Sequence, residues 1–141
     1  MVNMQEKEKL DQTWFIDIDG TIFKHRTNDE LDSWVTNIKR SHLKEEILEG
    51  VQDWFSRLSK KDKVIFVTAR EERHREHTMK ALKRFKIKFD EIIFSVNAGP
   101  RILINDSKPK NSTGLGYTLR TARGVNLKRD SGLKGLPTCY V

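Results

Sequence analysis

The chain has 141 residues, of which 36% are hydrophobic and 33% charged, and it carries a formal net charge of +7. That length suits a single domain spanning residues 1–141 with a real core, and no apolar run approaches the length of a membrane span. A single cysteine, Cys139, excludes an internal disulfide and a cysteine-cluster zinc site, and the polar first residues hold no apolar leader stretch, so the expected location is cytoplasmic.

The charge is unevenly spread. Residues 1–56 are acidic by roughly five charges, residues 57–88 basic by roughly eight, and residues 101–141 basic by roughly six. A basic region beside acidic residues suits a protein that meets a phosphorylated ligand, although a solvated helix face has the same composition.

In chain order, residues 1–12 are polar and expected to be flexible. TWFIDI at 13–18 is an apolar run of strand length that ends at Asp17 and Asp19, with Gly20 and Thr21 directly after. Carboxylates are rarely buried unless they are paired or bind a metal. The pair therefore either marks where the strand meets solvent or forms a site. Between 42 and 62, Val51, Trp54, Phe55 and Leu58 recur at helical spacing and predict a helix with one buried stripe. KVIFVTAR at 63–70 reads as a strand covered on both faces.

The next segment, EERHREHTMKALKRFKI, predicts an amphipathic helix. Thr78, Met79, Leu82 and Phe85 lie on one face, and Arg73, His77, Lys80 and Arg84 on another. FDEIIFS at 89–95 and RILIND at 101–106 are two further strands, separated by the break VNAGP. A Pro/Gly/Ser-rich loop follows, and RGVNL at 123–127 offers a fifth strand. The tail, 128–141, reads as irregular. This alternation predicts an α/β fold, a Rossmann-like three-layer sandwich around a parallel sheet of about five strands. Ligands in such sheets bind at the carboxyl ends of the strands. Asp17, Asp19, Thr68, Asn105 and Asp106 would all converge there.

WFIDIDGT, VIFVT and ILIND, in that order, resemble the motifs of haloacid dehalogenase (HAD) superfamily hydrolases, and the likeness spans residues 13–127. The resemblance implies a phosphomonoester hydrolase that uses Mg²⁺ and an aspartyl-phosphate intermediate. Asp17 would be the nucleophile. Asp19 would protonate the leaving oxygen and then activate water. The metal would be held by the Asp17 carboxylate, the Asp19 carbonyl and Asp106, with Asn105 in support. Thr68 would donate its hydroxyl to a phosphoryl oxygen.

The lysine that the family carries before its acidic motif has no counterpart in SVNAGPR. Lys108 is the preferred substitute, ahead of Arg101 and then Lys86. The gaps between motifs leave no room for a cap domain, so the chain resembles a small capless member with an open site. Such a site suits bulky phosphates, or is closed by a second subunit of a homo-oligomer. GPRILINDSKPK and TARGVNLKRDSG loosely resemble small stand-alone members linked to surface-polysaccharide synthesis, which points to a sugar phosphate. The rival substrates are a nucleotide or a phosphorylated nucleic-acid end. The absent lysine keeps open a non-catalytic phosphate- or nucleic-acid-binding module on the same fold.

Other residues invite plainer readings. Arg70 either contacts substrate or simply ends a strand. His25, His42, His74 and His77 lack metal-ligand spacing, and His74 and His77 are expected on a solvated face. Trp14, Trp34 and Trp54 read as packing residues, Trp34 being the one expected to be exposed, and Cys139 as a free thiol.

Overall fold

The computed structural model describes residues 10–112, 114 and 116–140; the rest, including residues 1–9 of the stretch expected to be flexible, lie outside the described residues. Three apolar runs become strands: β1 (Thr13–Ile16), β2 (Lys63–Val67) and β3 (Glu91–Ile93). They form a parallel sheet in the order β1-β2-β3. Phe15 pairs with Ile65, Ile16 with Phe66, and Val67 with Ile93.

Alternation along each strand sorts the side chains onto two faces. One face carries Ile16, Val64 and Phe66, all buried, and Ile92, packed against the core. The other carries Phe15 and Ile93, which stay 54% and 49% exposed. The sheet is thus well covered on one side only, against the expectation of β2 buried on both.

Among the described residues the sheet has three strands rather than about five. Residues 101–106 form no strand, and Ile102 and Ile104 are 82% and 91% exposed. An apolar run becomes a strand only where an edge receives its backbone hydrogen bonds. This run starts after Pro100, which has no N–H, and its first side chain, Arg101, is drawn to Asp17. Residues 123–127 are likewise irregular and exposed. Gly124 and Asn126 are weak strand formers.

The first helix is α1 (Asn28–Trp34). It is set by a capping box: the Thr27 hydroxyl accepts from the Glu30 N–H at 3.2 Å, and the Glu30 carboxylate accepts from the Thr27 N–H at 3.2 Å. A short turn, α2 (Ile38–Ser41), follows. The helical stretch expected at 42–62 is much shorter, as α3 (Val51–Arg57). Gly50 precedes it with φ 77°, and Glu45 is extended, which turns 46–48 toward 22–24. There the Leu48 N–H reaches the Ile22 carbonyl and the Lys24 N–H the Glu46 carbonyl, at 2.9 and 2.8 Å.

Helix α4 (Arg75–Arg84) is amphipathic, but its buried stripe is His77, Thr78, Ala81 and Leu82. Met79 is exposed, and both His74 and His77 are fully buried, the reverse of the expectation. Trp34 is half-buried under the Arg26 guanidinium, 4.9 Å from its ring. No helix is long and apolar enough to cross a membrane among the described residues.

The tail is irregular, as read, yet it is part of the core. Leu133 is 2% exposed, and its N–H donates to the Glu49 carbonyl at 2.8 Å. Trp54 Nε1 donates to the Pro137 carbonyl at 3.1 Å, and the Tyr140 ring lies 5.8 Å from Trp14.

Candidate active site at the carboxyl end of the sheet

Beyond β1 the chain keeps its alternation for three more residues. Ile18 is fully buried between Asp17 and Asp19, so both carboxylates point the other way, half-buried. The Ile18 carbonyl then accepts from the N–H groups of Thr21, Ile22 and Phe23, which coils the following loop tightly under the pair. Gly20 occupies the left-handed region at φ 81°, where a side chain would be strained.

The two carboxylates open into a cavity of about 410 Å³ at the carboxyl ends of β1 and β2. Its wall also holds His25, Arg26, Arg70, Arg101 and Arg129. Acidic floor and basic rim come from widely separated parts of the chain.

Arg70 is the best-held of these cations. It is 1% exposed, and all five of its guanidinium N–H groups find acceptors. Nε and Nη2 grip the two Asp19 oxygens at 2.9 and 2.8 Å. Nη1 and Nη2 reach the two Glu45 oxygens at 2.5 and 3.1 Å, and Nη1 also reaches the Thr78 hydroxyl at 3.1 Å. Burial alone would weaken its charge, but its two carboxylate partners hold the proton more firmly than water does.

Glu45 is fully buried in turn. His77 Nε2 lies 2.9 Å from Glu45 Oε2, and His77 Nδ1 lies 2.7 Å from the Ser41 hydroxyl. Burial pushes the Glu45 carboxyl up, yet His77 and Arg70 outweigh it and hold it below the usual range. A chain of contacts thus runs from Asp19 through Arg70 and Glu45 to His77, tying the site to α2 and α4. None of these partners is signalled by spacing. Glu45 lay in a segment read as helix, and His77 on a face read as solvated.

Asp17 is less constrained. Arg101 Nη1 approaches its Oδ1 at 3.1 Å, both side chains remaining more than a third exposed. Burial raises the Asp17 carboxyl above the ordinary range, and Arg101 offsets only part of that. Arg101 opens an apolar run, a position less favourable in sequence than that of Lys108, but with no strand formed at 101–106 its side chain meets the first aspartate. Lys108 instead exchanges backbone hydrogen bonds with Leu119, at 2.7 and 2.9 Å, and Lys86 is exposed beyond α4; neither lines the cavity.

Thr68 is fully buried, and its hydroxyl accepts from the Arg70 N–H at 3.0 Å; Ala69 and Arg70, not Thr68, reach the cavity wall. Asp106 and Asn105 are exposed and do not line the cavity. The Asp106 N–H donates to the Asn105 side-chain oxygen at 3.1 Å, and the Thr121 hydroxyl donates to the Asp106 carbonyl.

The donor set for a divalent cation is accordingly short. Asp17 provides a carboxylate and Asp19 a neighbouring carbonyl, but Asp106 is not gathered with them. No cluster of three or more His, Cys, Asp and Glu is placed to hold a metal among the described residues. A complete three-residue Mg²⁺ site is therefore not assembled in this arrangement. Comparison with protein-family models, with curated proteins and with solved structures finds no match for this chain.

Proposed function

We propose that the chain is a phosphomonoester hydrolase of the HAD type, with Asp17 as its nucleophile. One observation carries the reading: two carboxylates at the end of a parallel strand face a cavity whose rim supplies four arginines. That combination suits an anion with a reactive centre. The arginines make the cavity attractive to the phosphoryl group and neutralise charge as it builds, and Asp17 attacks phosphorus. The bond from phosphorus to the leaving oxygen breaks as the Asp17–phosphorus bond forms, and water later releases phosphate from the carboxylate.

The residues divide the work. Arg101, already 3.1 Å from Asp17, takes the place of the missing lysine and orients the attacking oxygen. Arg70 fixes Asp19 through both of its oxygens. To protonate the leaving group, the Asp19 carboxyl must turn away from Arg70, so substrate binding and that rotation belong together. A Mg²⁺ ion, where used, would meet Asp17 and the Asp19 carbonyl and supply charge neutralisation of the phosphate.

An open cavity without a cap admits a large phosphorylated substrate, and a sugar phosphate is our first choice. A second basic surface favours a different reading. Lys39, His42, Lys80, Lys83 and Arg84 surround a hollow of about 450 Å³ on the α2 and α4 side, which suits a phosphate-rich polymer such as nucleic acid.

Phosphate release from sugar phosphates, nucleotides and end-phosphorylated oligonucleotides, with and without Mg²⁺, tests both readings. Turnover of a small phosphate supports the first. Inertness across the panel, with oligonucleotide affinity that falls steeply with salt, supports a binding module instead.

A further inference from the structure

We propose that Arg129, delivered by the C-terminal segment, is the residue that grips the oxygens of a bound phosphoryl group. The proposal rests on the reading of this cavity as a phosphate site. Its starting point is the way the tail is fixed to the loop after β1. The Asp130 N–H donates to the Gly20 carbonyl at 2.9 Å. The Asp130 carboxylate accepts from the His25 N–H at 2.8 Å. These two bonds clasp both sides of the loop that carries the aspartates.

The clasp is held from behind. Gly132, at φ 77°, is packed so closely on Glu49 that a Cβ there would run into the Glu49 carbonyl. Leu133 follows directly, 2% exposed and bonded to the same carbonyl. Asp130 itself lies in the left-handed region at φ 64°, a conformation aspartate tolerates better than most residues. The backbone that directly follows Arg129 is therefore fixed.

Its side chain runs across the glycine turn, with Cγ 3.2 Å from where a Cβ on Gly20 would sit. A side chain at residue 20 would crowd that path, in addition to straining its own backbone angle. Arg129 lines the cavity that Asp17 and Asp19 share.

Charge pairing then separates Arg129 from its neighbours. Arg70 is committed to Asp19 and Glu45, Arg101 to Asp17, and Arg26 to Glu46 at 2.9 Å. Arg129 forms no ion pair among the described residues. It is the arginine of the rim whose planar fork of donors is left for an incoming anion, and the fork matches two phosphoryl oxygens at once.

The test is orthophosphate binding to the full chain by titration calorimetry, comparing wild type with Arg129→Gln, Arg129→Lys and Lys128→Gln. The last removes the same charge one residue away. Arg129→Gln is expected to weaken binding about tenfold or more, the loss of a charge-assisted pair of hydrogen bonds. Arg129→Lys should recover part of that, and Lys128→Gln should bind within about twofold of wild type. Because Arg129 pairs with no carboxylate among the described residues, its variants should melt with wild type, which separates a binding defect from a folding one. Wild-type binding with an unchanged Arg129→Gln overturns the role of Arg129 and leaves the phosphate site standing. Wild-type failure to bind orthophosphate or hydrolyse any phosphate ester overturns both.

Discussion

Replacing Arg70 by methionine keeps much of the buried volume and removes the charge between Asp19 and Glu45. Five side-chain hydrogen bonds are lost. Asp19 can recover water, since its side chain is 16% exposed and faces the cavity, but Glu45 is fully buried and keeps only His77. Removing one partner of a buried ion pair costs about 3–5 kcal/mol because the other charge is stranded. Set against a typical domain stability of about 5–15 kcal/mol, Arg70→Met should shift the urea midpoint severely. Adding Glu45→Gln should return part of the loss, because the stranded charge is then gone. The defect should also shrink in acid. The Glu45 carboxyl is held below its ordinary value of 4.5, so its stabilising share is present above that pH and is lost as the pH falls through the lowered folded-state value. An Arg70→Met protein within about 1 kcal/mol of wild type, or strict additivity with Glu45→Gln, would refute the argument.

Asp32 is predicted to titrate near its lowered pKa of about 2, held there by the Arg73 guanidinium and by His74. NMR of its carboxyl carbon reads this directly, and a midpoint at 3.8 or above contradicts the pairing. The stability it adds is present above 3.8 and disappears toward pH 2. Leu133→Ala should cost about 2–5 kcal/mol in urea unfolding, as for any well-packed core leucine. A loss under about 0.5 kcal/mol would show that the tail is not part of the folded unit.

The sequence carried the sheet best where the apolar run was also a paired run. TWFIDI, KVIFV and EII all found partners, and Val51 and Trp54 marked a real helix face. ILIND had the same composition and failed as a strand, because pairing depends on an edge in space that hydropathy does not encode. Gly50 and the Thr27–Glu30 capping box were visible signals that would have shortened one helix and added another. The candidate site was legible as Asp17 and Asp19. Its arginines were legible only in part: Arg70 and Arg101 stood among the candidates, but the carboxylate each meets, and Arg129 altogether, depend on distances between segments rather than on spacing within one. His77 misled for a related reason: a polar residue on a helix reads as solvated until a buried carboxylate, here Glu45, is known to face it.

The most direct test of Asp17 as nucleophile is acid quenching of a reaction with the best phosphate ester, followed by mass mapping of the protein. The account predicts a phosphoryl group on the peptide that carries Asp17, and neither adduct nor turnover in a folded Asp17→Asn variant. Phosphate release by Asp17→Asn at the wild-type rate would contradict it.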